Sequence, residues 1–167
     1  AGCITQKARE YIYLMTDFVK DHFGAETIYG DTDSIFVKIT DELVRQFHGI
    51  PIEEYVKLTN EQKFYLYWDF CLKIGNDFNK FVHSFGLTSM TMQLEKIFLK
   101  IFIIKKKKYF GKKCEGRDYN EQKMSIMGLD SKKRNASNFE RVVGEMIVNE
   151  LLTNDDVIVH KLLNQVI

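Results

Sequence analysis

A change of hydrophobic period between residues 20 and 40 constrains this fold more than any other feature of the sequence. Ala8, Tyr11, Ile12, Met15, Phe18, Val19 and Phe23 recur at helical spacing, and Gly24 stands where a helix C-cap belongs. Two β-prone runs follow at once, 26–29 and 34–39, with only Gly-Asp-Thr-Asp between them. This order predicts a helix over 5–23 feeding a β-hairpin with a polar, glycine-containing turn. Residues 41–60, containing Gly49-Ile50-Pro51, read as a short helix, a turn and a connector, and 61–85 as a long helix ending near Gly86. From 91 to 110 the pattern is strand-like, rich in β-branched and aromatic groups. Residues 112–122 read as a polar loop, 124–127 as a short strand, and 139–152 and 156–166 as two amphipathic helices. The sum is an α+β chain: an antiparallel sheet with helices on one side.

Composition removes several classes. With 45% hydrophobic residues, 13 Phe, 8 Tyr and a single Pro, the chain is ordered rather than disordered. Its 167 residues suit one domain or one large piece of a bigger one. No apolar run reaches eighteen residues, so no membrane partner is expected, and AGCITQKARE lacks the layout of a secretory signal. Cys3, Cys71 and Cys114 are odd in number and form no CxxC pair, which argues against a zinc site or a disulfide framework and for a reducing, intracellular compartment. The first residue is Ala, and the expectation is a chain cut from something longer. Charge is uneven: residues 1–93 carry 9 Lys and Arg against 13 Asp and Glu, whereas 94–141 carry 14 against 6. A basic segment beside an acidic one suits a polyanion next to a cation site, although a solvated lysine face has the same composition.

The chemistry-bearing string is Tyr29-Gly30-Asp31-Thr32-Asp33-Ser34. Asp31 and Asp33 are two apart, a spacing that in extended backbone projects both carboxylates to one side of a hairpin tip. Hard divalent cations need such oxygens, and Mg²⁺ takes one or two carboxylates together with substrate phosphates. Gly30 suits a tight turn or the close approach of a ligand. Asp, Gly, Thr and Ser are also ordinary turn residues, so Asp-x-Asp alone decides nothing.

The full hexapeptide resembles motif C of the family B DNA polymerases, which sits on a β-hairpin of the palm domain. The resemblance runs along most of the chain. Ile4-Thr5 and Arg9-Glu10 look like the stretch between motifs B and C. Leu94-Glu95-Lys96, followed by Lys105 to Gly111, resembles the family's KKRY-type element. Gly128-Leu129-Asp130 with Lys133-Arg134 resembles the late palm-to-thumb segment, with Lys in place of the first Arg and Asn135 in place of the acid. Residues 41–90 are the least diagnostic, and the lysine-rich KKKYFG form is similar to polymerases of large DNA viruses.

The resemblance implies an antiparallel polymerase palm sheet with helices packed on one side, the palm over 1–135 and the helical start of a thumb over 136–167. It implies a DNA-directed DNA polymerase that adds a dNTP to a primer 3′-hydroxyl by two-metal catalysis. Asp33 would be the metal-bridging carboxylate and Asp31 its more peripheral partner, holding two Mg²⁺ ions shared with a motif A aspartate outside this chain. Tyr29 and Thr32 would meet the nucleotide. Lys107 would test the minor groove, where every base pair offers acceptors, with Lys106, Lys108 and Tyr109 supporting the duplex. Lys132, Lys133 and Arg134 would contact primer phosphates. Glu95 is either a third acid or a strand-edge carboxylate. Motifs A and B are absent from these residues, so the chain alone is expected to be inactive. Its partners would be primer–template DNA, dNTP and the remainder of the polymerase, with a processivity factor left open. Its location would be the nucleus or a viral replication site. Two other readings stay in play: a non-catalytic nucleic-acid-binding module or relic, and another palm-type nucleotidyl enzyme such as a cyclase.

Overall fold

The structure is a computed structural model that describes residues 2–31, 33–88, 91–128 and 138–153. The chain divides into two compact units, one of Ala1–Ile97 with Gly116–Tyr119, the other of Phe98–Glu115 with Asn120–Ile167.

The first unit begins with α1, Gly2–Phe23, which closes at Gly24 with a φ of 64° and a hydrogen bond from its N–H to the Lys20 carbonyl. The helix buries Tyr11, Met15, Phe18 and Val19 along one stripe and leaves Tyr13 and Asp17 outside, as the apolar spacing requires. The hairpin follows as β1, Glu26–Gly30, and β2, Ile35–Lys38, paired antiparallel. Next come α2, Asp41–His48, and the one-turn α3, Ile52–Tyr55. The long α4, Asn60–Ser84, starts at a reciprocal cap, Thr59 Oγ1 accepting from the Gln62 N–H and Gln62 Oε1 from the Thr59 N–H. Its Phe64, Trp68, Ile74, Phe78 and Val82 recur at helical spacing and are buried. Phe78 stands edge-on to Tyr11 and Phe18, with ring centroids 5.3 Å away in both cases, which joins α4 to α1. A second cluster, centred on Val19, Val44, Tyr55, Phe70 and Ile74, joins α2 to α4 and reaches Ile35 and Val37 of the hairpin. Helix packing therefore supports the hairpin from beneath.

The second unit holds β3, Ile97–Lys105, from Phe98 onward, β4, Lys108–Cys114, and β5, Lys123–Met127, in the order β3-β4-β5, followed by α5, Asn138–Thr153. As central strand, β4 buries Tyr109, Phe110 and Cys114, and its Phe110 ring stacks on Phe102 at 5.0 Å. Gly111 faces the Lys100 carbonyl so closely that an added Cβ would lie 2.5 Å from that oxygen.

The α+β class holds. The antiparallel pairing is split between two small sheets rather than gathered in one. Residues 112–114 belong to β4 rather than to a loop: Lys112 and Lys113 pair with Met124 and Lys123, and burial of Cys114 rewards the extension. Residues 91–96 form no strand; the Asn79 side chain holds their start, donating to the Met92 carbonyl at 2.9 Å and accepting from the Met92 N–H at 2.7 Å. The expected helix at 156–166 and the expected boundary at 135/136 lie outside the described residues, and α5 falls in the same unit as β3, β4 and β5. Among the described residues no helix is long and apolar enough to cross a membrane.

Candidate functional site

The hairpin tip is assembled by its own ladder, which runs from Glu26 opposite Lys38 to Gly30 opposite Ile35. The Asp31 N–H extends it by donating to the Ser34 carbonyl at 2.9 Å. Asp31 is thus pinned, half-buried, at the end of the ladder, while Asp33 lies beyond it in a bend and is exposed. The expected picture of two carboxylates on one extended face changes in this respect, because only Asp31 keeps strand-like pairing.

A β-bulge between Thr27 and Tyr29 shifts the register, a device that re-aims side chains near the end of a strand. The Tyr29 ring lies 5.0 Å from Phe36, and its hydroxyl donates to Asp31 Oδ2 at 3.4 Å. This contact was not anticipated, although alternation along a strand places residues two apart on one face and was the available signal. Thr32 lies outside the described residues. Gly30 has no positive φ, and among the described residues a Cβ there would meet only Ile12 Cγ2, at 3.9 Å. Backbone conformation therefore does not demand glycine at 30.

The donor set fits Mg²⁺ in kind, since both groups are carboxylates on a partly solvated tip. It is short in number: among the described residues no group of three or more His, Cys, Asp or Glu stands ready to hold a metal ion.

The lysine run forms the turn between β3 and β4. Lys105, Lys106 and Lys107 are exposed, Lys108 is half-buried, and Lys107 has a φ of 60°, the one positive φ outside glycine among the described residues. A surface of this kind suits phosphate or groove contacts, and it is equally what an exposed sheet end needs for solubility. Tyr109, which follows the lysines, is 8% exposed, with its ring edge-on to Phe98. Lys132, Lys133 and Arg134 lie outside the described residues.

Other singled-out groups have local structural partners. Glu95 is exposed and accepts from Lys96 at 2.5 Å. His22 lies over the Phe18 ring and His48 reaches the Leu66 carbonyl at 3.0 Å, so neither belongs to a ligand set. Phe64, Trp68 and Phe70 are core. Burial pushes the Cys71 thiol up to about 12, which leaves it protonated and a poor nucleophile at neutral pH. Asp41 Oδ1 accepts from Tyr55 at 2.9 Å and from Tyr67 at 2.6 Å, tying α2 to α3 and α4. In the second unit, a groove of about 480 Å³ between the sheet and α5 is lined by Phe102, Ile104, Phe110, Ile147 and Leu151 among others, with no titratable group among its described lining residues.

Comparison with known proteins adds an independent line. The family model described as DNA polymerase family B matches residues 65–167, a stretch that begins inside α4 and takes in the lysine turn, while the 29–34 hexapeptide precedes it. A DNA polymerase of Pyramimonas orientalis virus is 29% identical over 157 residues, 94% of this chain and 12% of the viral protein. The DNA polymerase alpha catalytic subunit of Oxytricha trifallax is 25% identical over 156 residues, 92% of this chain and 9% of its own length. That of Oryza sativa subsp. japonica is 26% identical over 171 residues, 99% of this chain and 10% of its own. The chain spans about a tenth of the length of the curated relatives it matches.

Proposed function

The chain belongs to DNA polymerase family B, and from that membership we propose that it is palm, with the start of the thumb, of a DNA-directed DNA polymerase acting on primer–template DNA and dNTP. The observation that carries the reading is the hairpin tip: an exposed Asp33 beyond a pinned Asp31, on a two-stranded ladder supported by packed helices. Family membership supplies the reaction, and the tip supplies the carboxylates that reaction needs.

Asp33 would hold the metal ions, which would in turn take the nucleotide phosphates. Asp31, held by its backbone bond to Ser34 and by the Tyr29 hydroxyl, supports Asp33 from the ladder's end. Tyr29, whose hydroxyl also holds Asp31, and Thr32 meet the nucleotide. Bound Mg²⁺ would supply charge neutralisation at the attacking and leaving oxygens of phosphoryl transfer. Because family members draw a further carboxylate from motif A, these residues hold half of that site, and the chain by itself has no polymerase activity. Lys106 and Lys107 meet the duplex, Lys107 at the primer-terminal minor groove, with Lys108 and Tyr109 supporting the duplex beside them. Lys133 and Arg134 contact primer phosphates. The remainder of the polymerase is the required partner, and the site of action is a nucleus or a viral replication site.

The test is Mg²⁺-dependent primer extension by the polymerase carrying this chain, wild type against Asp33→Ala, at matched DNA occupancy. Loss of extension by at least about a hundredfold with DNA binding retained is expected. Unchanged extension would make the hairpin structural and leave the chain a nucleic-acid-binding module.

A further inference from the structure

Gly128 follows Met127 at the end of β5, and because Tyr109 pairs with Met127, the register sets Gly128 opposite Lys108. Its φ is +66°, and a Cβ on it would lie 2.1 Å from the Lys107 carbonyl oxygen and 3.2 Å from Lys108 Cγ. Gly24, Gly49 and Gly86 share the positive φ, yet an added Cβ there would meet nothing closer than 3.9 Å. Among the described residues only Gly128 combines left-handed backbone with a backbone obstacle, and a carbonyl oxygen cannot rotate aside as a side chain does. The peptide it presses on leaves Lys107, whose own φ of 60° is unfavourable for a lysine. A side chain at 128 would therefore displace the turn itself. In sequence, Gly128 also leads directly into the stretch that carries Lys132, Lys133 and Arg134.

We propose that Gly128 is a positioning residue for DNA binding: its bare Cα, packed on the Lys107 peptide, fixes the backbone of the Lys106–Lys107 turn and so directs those lysines at the duplex. The proposal rests on the polymerase reading above and adds a residue that touches no DNA. It differs from a purely structural role in one measurable way, because its effect on binding must pass through the lysines.

The experiment uses the polymerase carrying this chain and a fluorescein-labelled primer–template duplex, with affinity measured by anisotropy across a salt series. Gly128→Ala is expected to weaken binding about tenfold and to make the salt slope shallower by about 1. Lys106→Gln with Lys107→Asn removes both charges while keeping a residue that tolerates left-handed backbone at 107. It should weaken binding comparably, and adding Gly128→Ala to it should cause no further loss. Additive losses, or Gly128→Ala without effect, would overturn the proposal while leaving the polymerase reading intact. If the lysine variant binds DNA as wild type does, the duplex role of the turn fails, and the proposal fails with it. Should Gly128→Ala not fold, Lys107→Gly is compared with Lys107→Asn. Both lack the charge and both allow the turn, but glycine loosens it, so binding about threefold weaker for glycine is expected. Equal affinities would refute the idea that rigidity of this turn directs the lysines.

Discussion

Replacing Asn79 by Ala should free the connector at 91–96 from α4. In the folded chain the Asn79 amide copies a backbone edge, donating to the Met92 carbonyl at 2.9 Å and accepting from the Met92 N–H at 2.7 Å. Alanine removes both bonds and leaves two backbone groups in a part-buried place without their partner. At about 1 kcal/mol net for each bond, local opening becomes easier by about 2 kcal/mol, or roughly 30-fold. The assay is amide hydrogen exchange at Met92, which reports local opening separately from global unfolding. Asn79→Asp sharpens the test. Its carboxylate can still accept from the Met92 N–H but faces the Met92 carbonyl with no proton to donate. Protection should fall at neutral pH and recover partly as the pH drops, because the protonated acid donates again. Met92 exchange within about threefold of wild type in Asn79→Ala would refute the clamp and leave helix packing as what holds the connector.

Three further outcomes follow from the same geometry. Phe78 is 0% exposed between Tyr11 and Phe18, so Phe78→Ala should cost about 3–5 kcal/mol in urea denaturation, and a cost under about 1 kcal/mol would mean that α1 and α4 do not share a core. Burial first, and then the hydrogen bond to Asp41, push the Tyr55 hydroxyl from 10.0 up to about 12, and the same causes raise Tyr67. Because the folded values are the higher ones, the stability these groups contribute is whole below pH 10.0 and is lost as pH rises through about 12; Tyr55→Phe with Tyr67→Phe should flatten that decline, and parallel alkaline curves would exclude it. Thr59→Ala removes the cap of α4 and should cost about 1 kcal/mol, whereas Thr59→Ser should be near neutral by thermal melt.

Sequence order alone settled the elements whose cause is local. The stripe from Tyr11 to Val19, the cap at Gly24 and the two runs around Gly-Asp-Thr-Asp each act within a few residues, so periodicity and capping chemistry expose them. The hexapeptide 29–34 and the lysine run were legible for the same reason: turn chemistry and charge are short-range patterns. What depended on distant neighbours was not legible. Residues 112–114 become strand because β5 arrives to pair with them, and residues 91–96 stay out of the sheet while Asn79, on a different helix, takes the Met92 backbone groups. The burial of Tyr109, next to exposed lysines in the sequence, likewise comes from the central position of β4. Gly30 and Gly128 look alike in sequence, and only tertiary packing separates them: a Cβ added at one would meet a methyl at an ordinary 3.9 Å, at the other a carbonyl oxygen at 2.1 Å. Local rules act through bonds between near neighbours, whereas close approach is decided by chain segments that the sequence keeps apart.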